Sequence, residues 1–217
     1  YTMDTTGYAT NSELEGYLTD KRNSNDSGSR ILWGMASINF ENYDDSELRN
    51  SRLEALESYF KQRPDIFVGL KLAHAHQGVP FNDSLYYDVF DIAAKYSLPV
   101  LLHTGFSPFP GSKDTPEYYD PSYLEAVIAD YDGVDENGAQ NDEKIVKFVF
   151  AHAGQGDKRS VIASLQLAEK YSNIYLDLSA LKRPFLIDEY GNEVPEGEED
   201  SVEGYDPDLG QITYVLQ

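Results

Sequence analysis

Apolar and polar residues fall in blocks along this chain rather than alternating residue by residue. Five short apolar runs, rich in β-branched and aromatic side chains, occupy residues 31–40, 66–72, 99–103, 145–152 and 173–179. None follows the strict alternation of a half-solvated strand, and continuous runs of this kind suit parallel strands covered on both faces by helices. Between them apolar residues recur at helical spacing. Residues 45–62 carry Leu48, Leu53, Leu56 and Phe60 and stop before Pro64. Residues 83–96 carry Leu85, Val89, Ile92 and Ala93 behind a cap at Asn82 or Asp83, and residues 160–171 carry Val161, Leu165 and Ala168. A further short helix is expected over residues 121–130. Regular strand–helix alternation predicts an α/β domain with a parallel sheet.

Three stretches break the rhythm. Residues 106–119 contain three prolines and read as a long ordered loop after a strand. Residues 188–206, acidic and rich in Gly and Pro, read as an exposed excursion. Residues 130–142 are also acidic; Asp135-Glu136-Asn137-Gly138 faintly suggests a calcium loop, but the spacing of such a loop is missing and a solvated turn is expected. No internal repeat or linker divides residues 1–217, so a single domain is expected.

An open doubly wound sheet and a closed barrel share this alternation, and the polar residues discriminate between them. Lys71, His103, His152 and Ser179 each stand at or just beyond the carboxyl end of a strand, on four successive strands. A parallel barrel gathers such ends on one face, whereas an open sheet spreads them along an edge. The expected fold is therefore a (β/α)8 TIM barrel.

Composition removes several function classes. The chain has no cysteine, which excludes disulfides, thiolate ligands and a cysteine nucleophile. A formal net charge of −21 repels phosphate backbones, so a nucleic-acid partner is not expected. No apolar run approaches the ~20 residues of a membrane helix, and no signal peptide is visible, which gives a cytoplasmic expectation. A small-molecule substrate remains, with homo-oligomerisation left open.

The chemistry concentrates in the histidines. Leu-Pro-Val-Leu-Leu-His103-Thr-Gly and Phe-Val-Phe-Ala-His152-Ala-Gly share one design: an apolar strand delivers an imidazole, and a glycine two residues on lets the backbone turn away. Either ring alone reads more simply as a half-buried histidine bonded to nearby backbone. Their common setting on neighbouring strands favours convergence on one metal ion, since neutral imidazole is the commonest zinc ligand. Lys71 closes a buried strand and needs an anion, a carbamate modification or solvent; pairing with Asp177 is the structural alternative. In an extended strand His74 and His76 would share a face and could clamp a metal, but their position beyond the strand favours substrate contact or a rim role. Asp177 is a candidate for orienting an imidazole or Lys71. Ser179 is a candidate substrate contact. Arg183 is another, or a surface arginine balancing nearby acids.

At these residues the chain resembles the amidohydrolase-2 branch of the amidohydrolase superfamily. The motifs are Val-Gly-Leu-Lys71-Leu, the two histidine motifs above and Asn-Ile-Tyr-Leu-Asp177-Leu-Ser179, spanning roughly residues 30 to 180 in family order. The resemblance implies strands four to seven of a barrel, with residues 31–40 as strand three. It implies a metal ligand at His103, and at His152 either a ligand or a residue that polarises metal-activated water, with Lys71 also in a catalytic role. The implied metal is zinc, or another divalent ion such as manganese, and the implied reaction is hydrolysis of a small C–N, C–O or ester substrate. Two alternatives stand beside it: a non-oxidative decarboxylase of the same superfamily, for which Arg183 is the available clamp for a substrate carboxylate, and an inactive barrel serving as a binding module.

The resemblance is incomplete. The family's His-x-His of strand one and acidic ligand of strand eight have no counterpart, and His74-Ala75-His76 follows the strand-four lysine and cannot replace the former. A full barrel takes about 250 residues. The expectation is the central part of a barrel, with strands one and eight and the remaining ligands outside these 217 residues. Tyr118 and Tyr119, at the end of the loop 106–119, either shape the pocket or pack without touching ligand.

Overall fold

A computed structural model describes residues 9–20, 23–24, 28–107, 111–135 and 137–179. The elements in chain order are α1 (Asn11–Thr19), β1 (Gly34–Ala36), α2 (Ser46–Gln62), β2 (Phe67–Leu72), α3 (His74–Gln77), α4 (Tyr87–Lys95), β3 (Pro99–His103), α5 (Glu125–Asp130), β4 (Asp132–Val134), β5 (Gln140–Ile145), β6 (Lys147–Ala151), α6 (Lys158–Lys170) and β7 (Ile174–Asp177). Short 3-10 turns lead into α4 and α5 and follow β6.

Five strands form one parallel sheet in the order β1-β2-β3-β6-β7, while β4 and β5 pair as a separate antiparallel hairpin. Among the described residues β1 and β7 are the outer strands and do not pair, so the sheet is an arc of five parallel strands rather than a closed barrel. Helix starts are fixed by side-chain caps, which satisfy backbone N–H groups that a helix leaves unpaired. Thr10 and Glu13 form a capping box on α1; Asp45 accepts from Glu47 and Leu48 N–H on α2, and Asp157 from Ser160 N–H on α6.

The two faces of the sheet differ. Leu70, Leu72, Val100, Leu102, Phe148 and Phe150 are fully buried and pack with Leu56 and Phe60 of α2, Val89 and Phe90 of α4, Val127 and Ile128 of α5 and Leu167 of α6. The alternate positions form ladders across the opposite face. Lys71 pairs with Leu101, Leu101 with Val149 and Val149 with Tyr175; one step on, His103 pairs with Ala151 and Ala151 with Asp177. Because strand side chains alternate with period two, this second face carries the polar residues at the carboxyl ends.

Four expectations change. The run 31–40 contributes only Gly34–Ala36 to the sheet, and Ile31, Leu32 and Trp33 are exposed. The run 145–152 divides between the end of β5, strand β6 and a following turn, so His152 lies beyond its strand. Residues 130–142 are not a plain loop but hold β4, a turn and the start of β5; Asp135 Oδ1 accepts from Asn137 and Ala139 N–H, making the aspartate the organiser of its own turn. Burial by helices holds for one face of the sheet, not for both. The segment 188–206 lies outside the described residues. Among the described residues no helix is long and apolar enough to cross a membrane.

Candidate functional site

The carboxyl ends of β2, β3, β6 and β7 bring Lys71, His76, His103, His152 and Asp177 into one cluster. His103 ends β3, and its ring lies between two others: the ring centre of His76 is 5.6 Å away and that of His152 5.2 Å, both edge-on. His152 reaches this row because the chain bends sharply after β6. His152 and Ala153 hold positive φ values of 69° and 45°, and Gly154 follows at 82°. Gly154 has to be glycine: a Cβ there would sit 2.2 Å from the carbonyl carbon of Ser160.

Hydrogen bonds settle which nitrogen of His152 is free for chemistry. Its Nδ1 lies 3.0 Å from the backbone oxygen of Ser179 and 3.1 Å from the Ser179 hydroxyl. A carbonyl oxygen only accepts, so Nδ1 carries a proton, and in the neutral ring the lone pair is on Nε2. The Ser179 hydroxyl in turn donates to Asp177 Oδ2 at 2.7 Å, and Ser179 N–H to Oδ1 at 3.0 Å. A carboxylate thus orients an imidazole through a serine, the type of support that fixes tautomer and ring direction in metal and catalytic sites. Burial pushes the Asp177 carboxyl up, but hydrogen bonds from Ser179 and the proximity of His152 outweigh it and hold the group below the ordinary carboxylate value.

Burial shifts the nitrogens of Lys71, His76 and His103 toward their neutral forms. Lys71 is 4% exposed. Burial drives its ammonium down from 10.5 to about 7, with Asp177 pulling the other way. For His103, burial, then the charge on Lys71 and the neighbouring His152 and His76 rings, lower the value to about 3, opposed by a backbone hydrogen bond with Gly105. Burial and Lys71 lower His76 as well.

The His-Ala-His pair divides. Residues 74–77 form a helical turn rather than the extended segment in which the two rings would share a face. His74 points into the core, fully buried, with its ring 4.2 Å from that of Phe81 and 4.1 Å from that of Tyr86. The structure therefore does not bring His74 to the mouth with the other candidates. His76 does reach the cluster, where its Nε2 shares a hydrogen bond with Ser107 Oγ at 2.9 Å and its Nδ1 lies 3.4 Å from Ser112 Oγ. Sequence reasoning missed Ser107 and Ser112; lying in the loop 106–119 is the one signal they carry. Tyr118 ends the 3-10 turn Pro116–Tyr118 that closes that loop, and Tyr119 is its C-cap. Arg183 lies outside the described residues.

In kind, these donors suit a divalent transition metal. His103 Nε2 is buried and has no hydrogen-bond partner among the described residues, as a nitrogen kept for an ion would be. In number they do not complete a site: among the described residues no three His, Asp or Glu side chains converge as a ligand set.

Residues 65–208, more than half of the chain, match the family model described as amidohydrolase. The chain belongs to the amidohydrolase family. Among solved structures this amidohydrolase chain is similar to an uncharacterized TIM-barrel protein, Bb4693, from Bordetella bronchiseptica, with 14% identity, a TM-score of 0.52 and coverage of 79% of this chain and 50% of that one. That likeness shows the fold: the arc of parallel strands belongs to a TIM barrel. The chain spans about half the length of that neighbour. No curated protein matches it.

Proposed function

We propose that this amidohydrolase domain carries the central part of a metal-dependent hydrolase site acting in the cytoplasm on a small organic C–N, C–O or ester substrate. The observation that supports it is the buried Nε2 of His103, without a hydrogen-bond partner among the described residues, with two further imidazoles beside it. His103 Nε2 and His152 Nε2 are the nitrogens that would hold the ion, zinc in the first instance and manganese in the second, with further ligands from outside the described residues. Such an ion supplies Lewis-acid activation of water and of the substrate.

The chain's own residues do the rest. His152, with Nδ1 committed to Ser179, either ligates or takes up a proton at Nε2. Lys71 is poised near neutrality to hold or release a proton at Nζ. Asp177 fixes His152 through Ser179. His76, anchored by Ser107 and Ser112, stands where a substrate group would meet the imidazole row.

Elemental analysis of the purified protein and of His103→Ala and His152→Ala tests the reading. About one zinc or manganese per chain, falling sharply in His103→Ala, is the expected result. Folded protein that holds no metal and takes up none on reconstitution would overturn it. Carbon dioxide release from a carboxylated substrate, in place of hydrolysis, would move the reaction to the decarboxylase class.

A further inference from the structure

We infer that Thr104 is a positioning residue that ties the loops after β3 and β6 into one unit and so sets the separation of His103 and His152. Its side chain is buried, and its hydroxyl bridges the two loops, donating to Ala151 O at 2.9 Å and accepting from Gly154 N–H at 2.9 Å. Its own N–H also donates to Ala151 O at 3.2 Å, and Phe106 N–H continues the seam to Gln155 O at 2.9 Å. Thr104 therefore follows His103 directly and grips the residues on either side of the His152–Ala153 pair.

That pair is strained. A non-glycine residue at positive φ is energetically disfavoured and persists only where the surroundings over-determine it. Here Ala151 O fixes the entrance to the turn and Gly154 N–H its exit, and both bonds end on one hydroxyl. The loops also lie in backbone contact, since a Cβ on Gly105 would stand 2.1 Å from Gln155 O. Releasing the hydroxyl lets residues 152 and 153 relax toward negative φ and carries the His152 ring away from His103.

Thr104→Val keeps the shape and removes the hydroxyl, and Thr104→Ser keeps the hydroxyl. Metal affinity, read by competition with a chelator, rests on the function proposed above. The histidine-ring 1H–15N spectrum of chelated protein does not rest on it, because it reports the His152 Nδ1–H bond to Ser179 directly. Thr104→Val is expected to weaken metal binding about 10- to 100-fold, the usual cost of losing a group that orients ligands, and to shift the His152 ring signals. Thr104→Ser is expected to restore both. Should wild type bind no metal, the proposed function fails, while this inference is still decided by the spectrum. A valine variant with wild-type affinity, or with unchanged His152 signals in the absence of metal, overturns it, as does a serine variant no closer to wild type than valine. If the valine variant does not fold, Thr104→Cys, a weaker hydrogen-bonding partner of similar size, is judged by the same criteria.

Discussion

Replacing Lys71 by Met is predicted to stabilise the metal-free fold while removing a site residue. Lys71 is almost wholly buried, and its ammonium falls from 10.5 to about 7 chiefly because burial disfavours the charge. Each pH unit of such a shift is worth ~1.36 kcal/mol, so the interval from 10.5 to about 7 corresponds to roughly 5 kcal/mol. The sign follows from proton counts. Between about pH 7 and 10.5 the unfolded chain holds a proton on this lysine that the folded chain has lost, so wild-type stability rises with pH across that window. Below about pH 7 the full penalty is present; above 10.5 it vanishes. Met fills a similar volume and carries no charge, so K71M should exceed wild type by several kcal/mol at pH 6. The gap should close steadily as pH approaches 10.5. Urea denaturation of chelator-treated protein at intervals from pH 6 to 10.5 measures it. Equal stabilities at pH 6, or a gap that stays constant with pH, would refute the argument that desolvation of Lys71 dominates.

Gly154→Ala should cost more than about 3 kcal/mol, because the added Cβ meets the Ser160 backbone at 2.2 Å and φ is 82°; a melting temperature within a few degrees of wild type would contradict this. Asn173, which is buried, donates through Nδ2 to Tyr131 O at 3.0 Å and Val146 O at 2.9 Å, joining the hairpin to the start of β7. Asn173→Ala should cost about 1–3 kcal/mol by removing the donor to Val146 O, while Tyr131 O keeps the N–H of Val146. Asn173→Asp, which sets a carboxylate oxygen in place of Nδ2 against both carbonyls, should cost more in chemical denaturation at pH 7; the reverse order would rule out the donor role.

The carboxyl ends of β2, β3 and β6 were readable because each apolar run stops at or beside a residue that cannot stay buried alone. The start of β1 was not: Ile31, Leu32 and Trp33 are apolar yet exposed, and apolarity alone does not distinguish a strand from the segment leading into it. The hairpin was hidden by its polar sequence, since β5 is mostly exposed and owes its form to the turn rather than to burial. Asn137-Gly138 was the available signal, being a favoured hairpin dipeptide. Thr10 and Glu13, at capping-box spacing, were likewise a signal for α1, a helix that was not expected. The convergence of His103 and His152 was legible from their shared context. The parting of His74 and His76 was not, because it depends on local conformation: residues two apart share a face in a strand but stand about 200° apart around a helix. The hydroxyls of Thr104, Ser107, Ser112 and Ser179 acquire their roles only through partners distant in sequence.

Taken together, the electrostatics of the cluster argue for a site that offers lone pairs. Lys71, His76 and His103 are all shifted toward the neutral form, with burial as the first cause in each case. His103 would not take up a second proton until about pH 3, so at neutral pH its ring keeps one nitrogen lone pair available to an ion. Asp177 supplies the opposite sign, and its influence reaches His152 through one serine hydroxyl. The net charge of −21 does not override this local order. Exposed charges are largely screened beyond the Debye length of about 8 Å at physiological ionic strength, whereas buried neighbours are screened much less. The acidic exterior can raise the concentration of cations near the protein. For His76 and His103 the few groups packed against each ring favour the neutral form that a divalent cation requires.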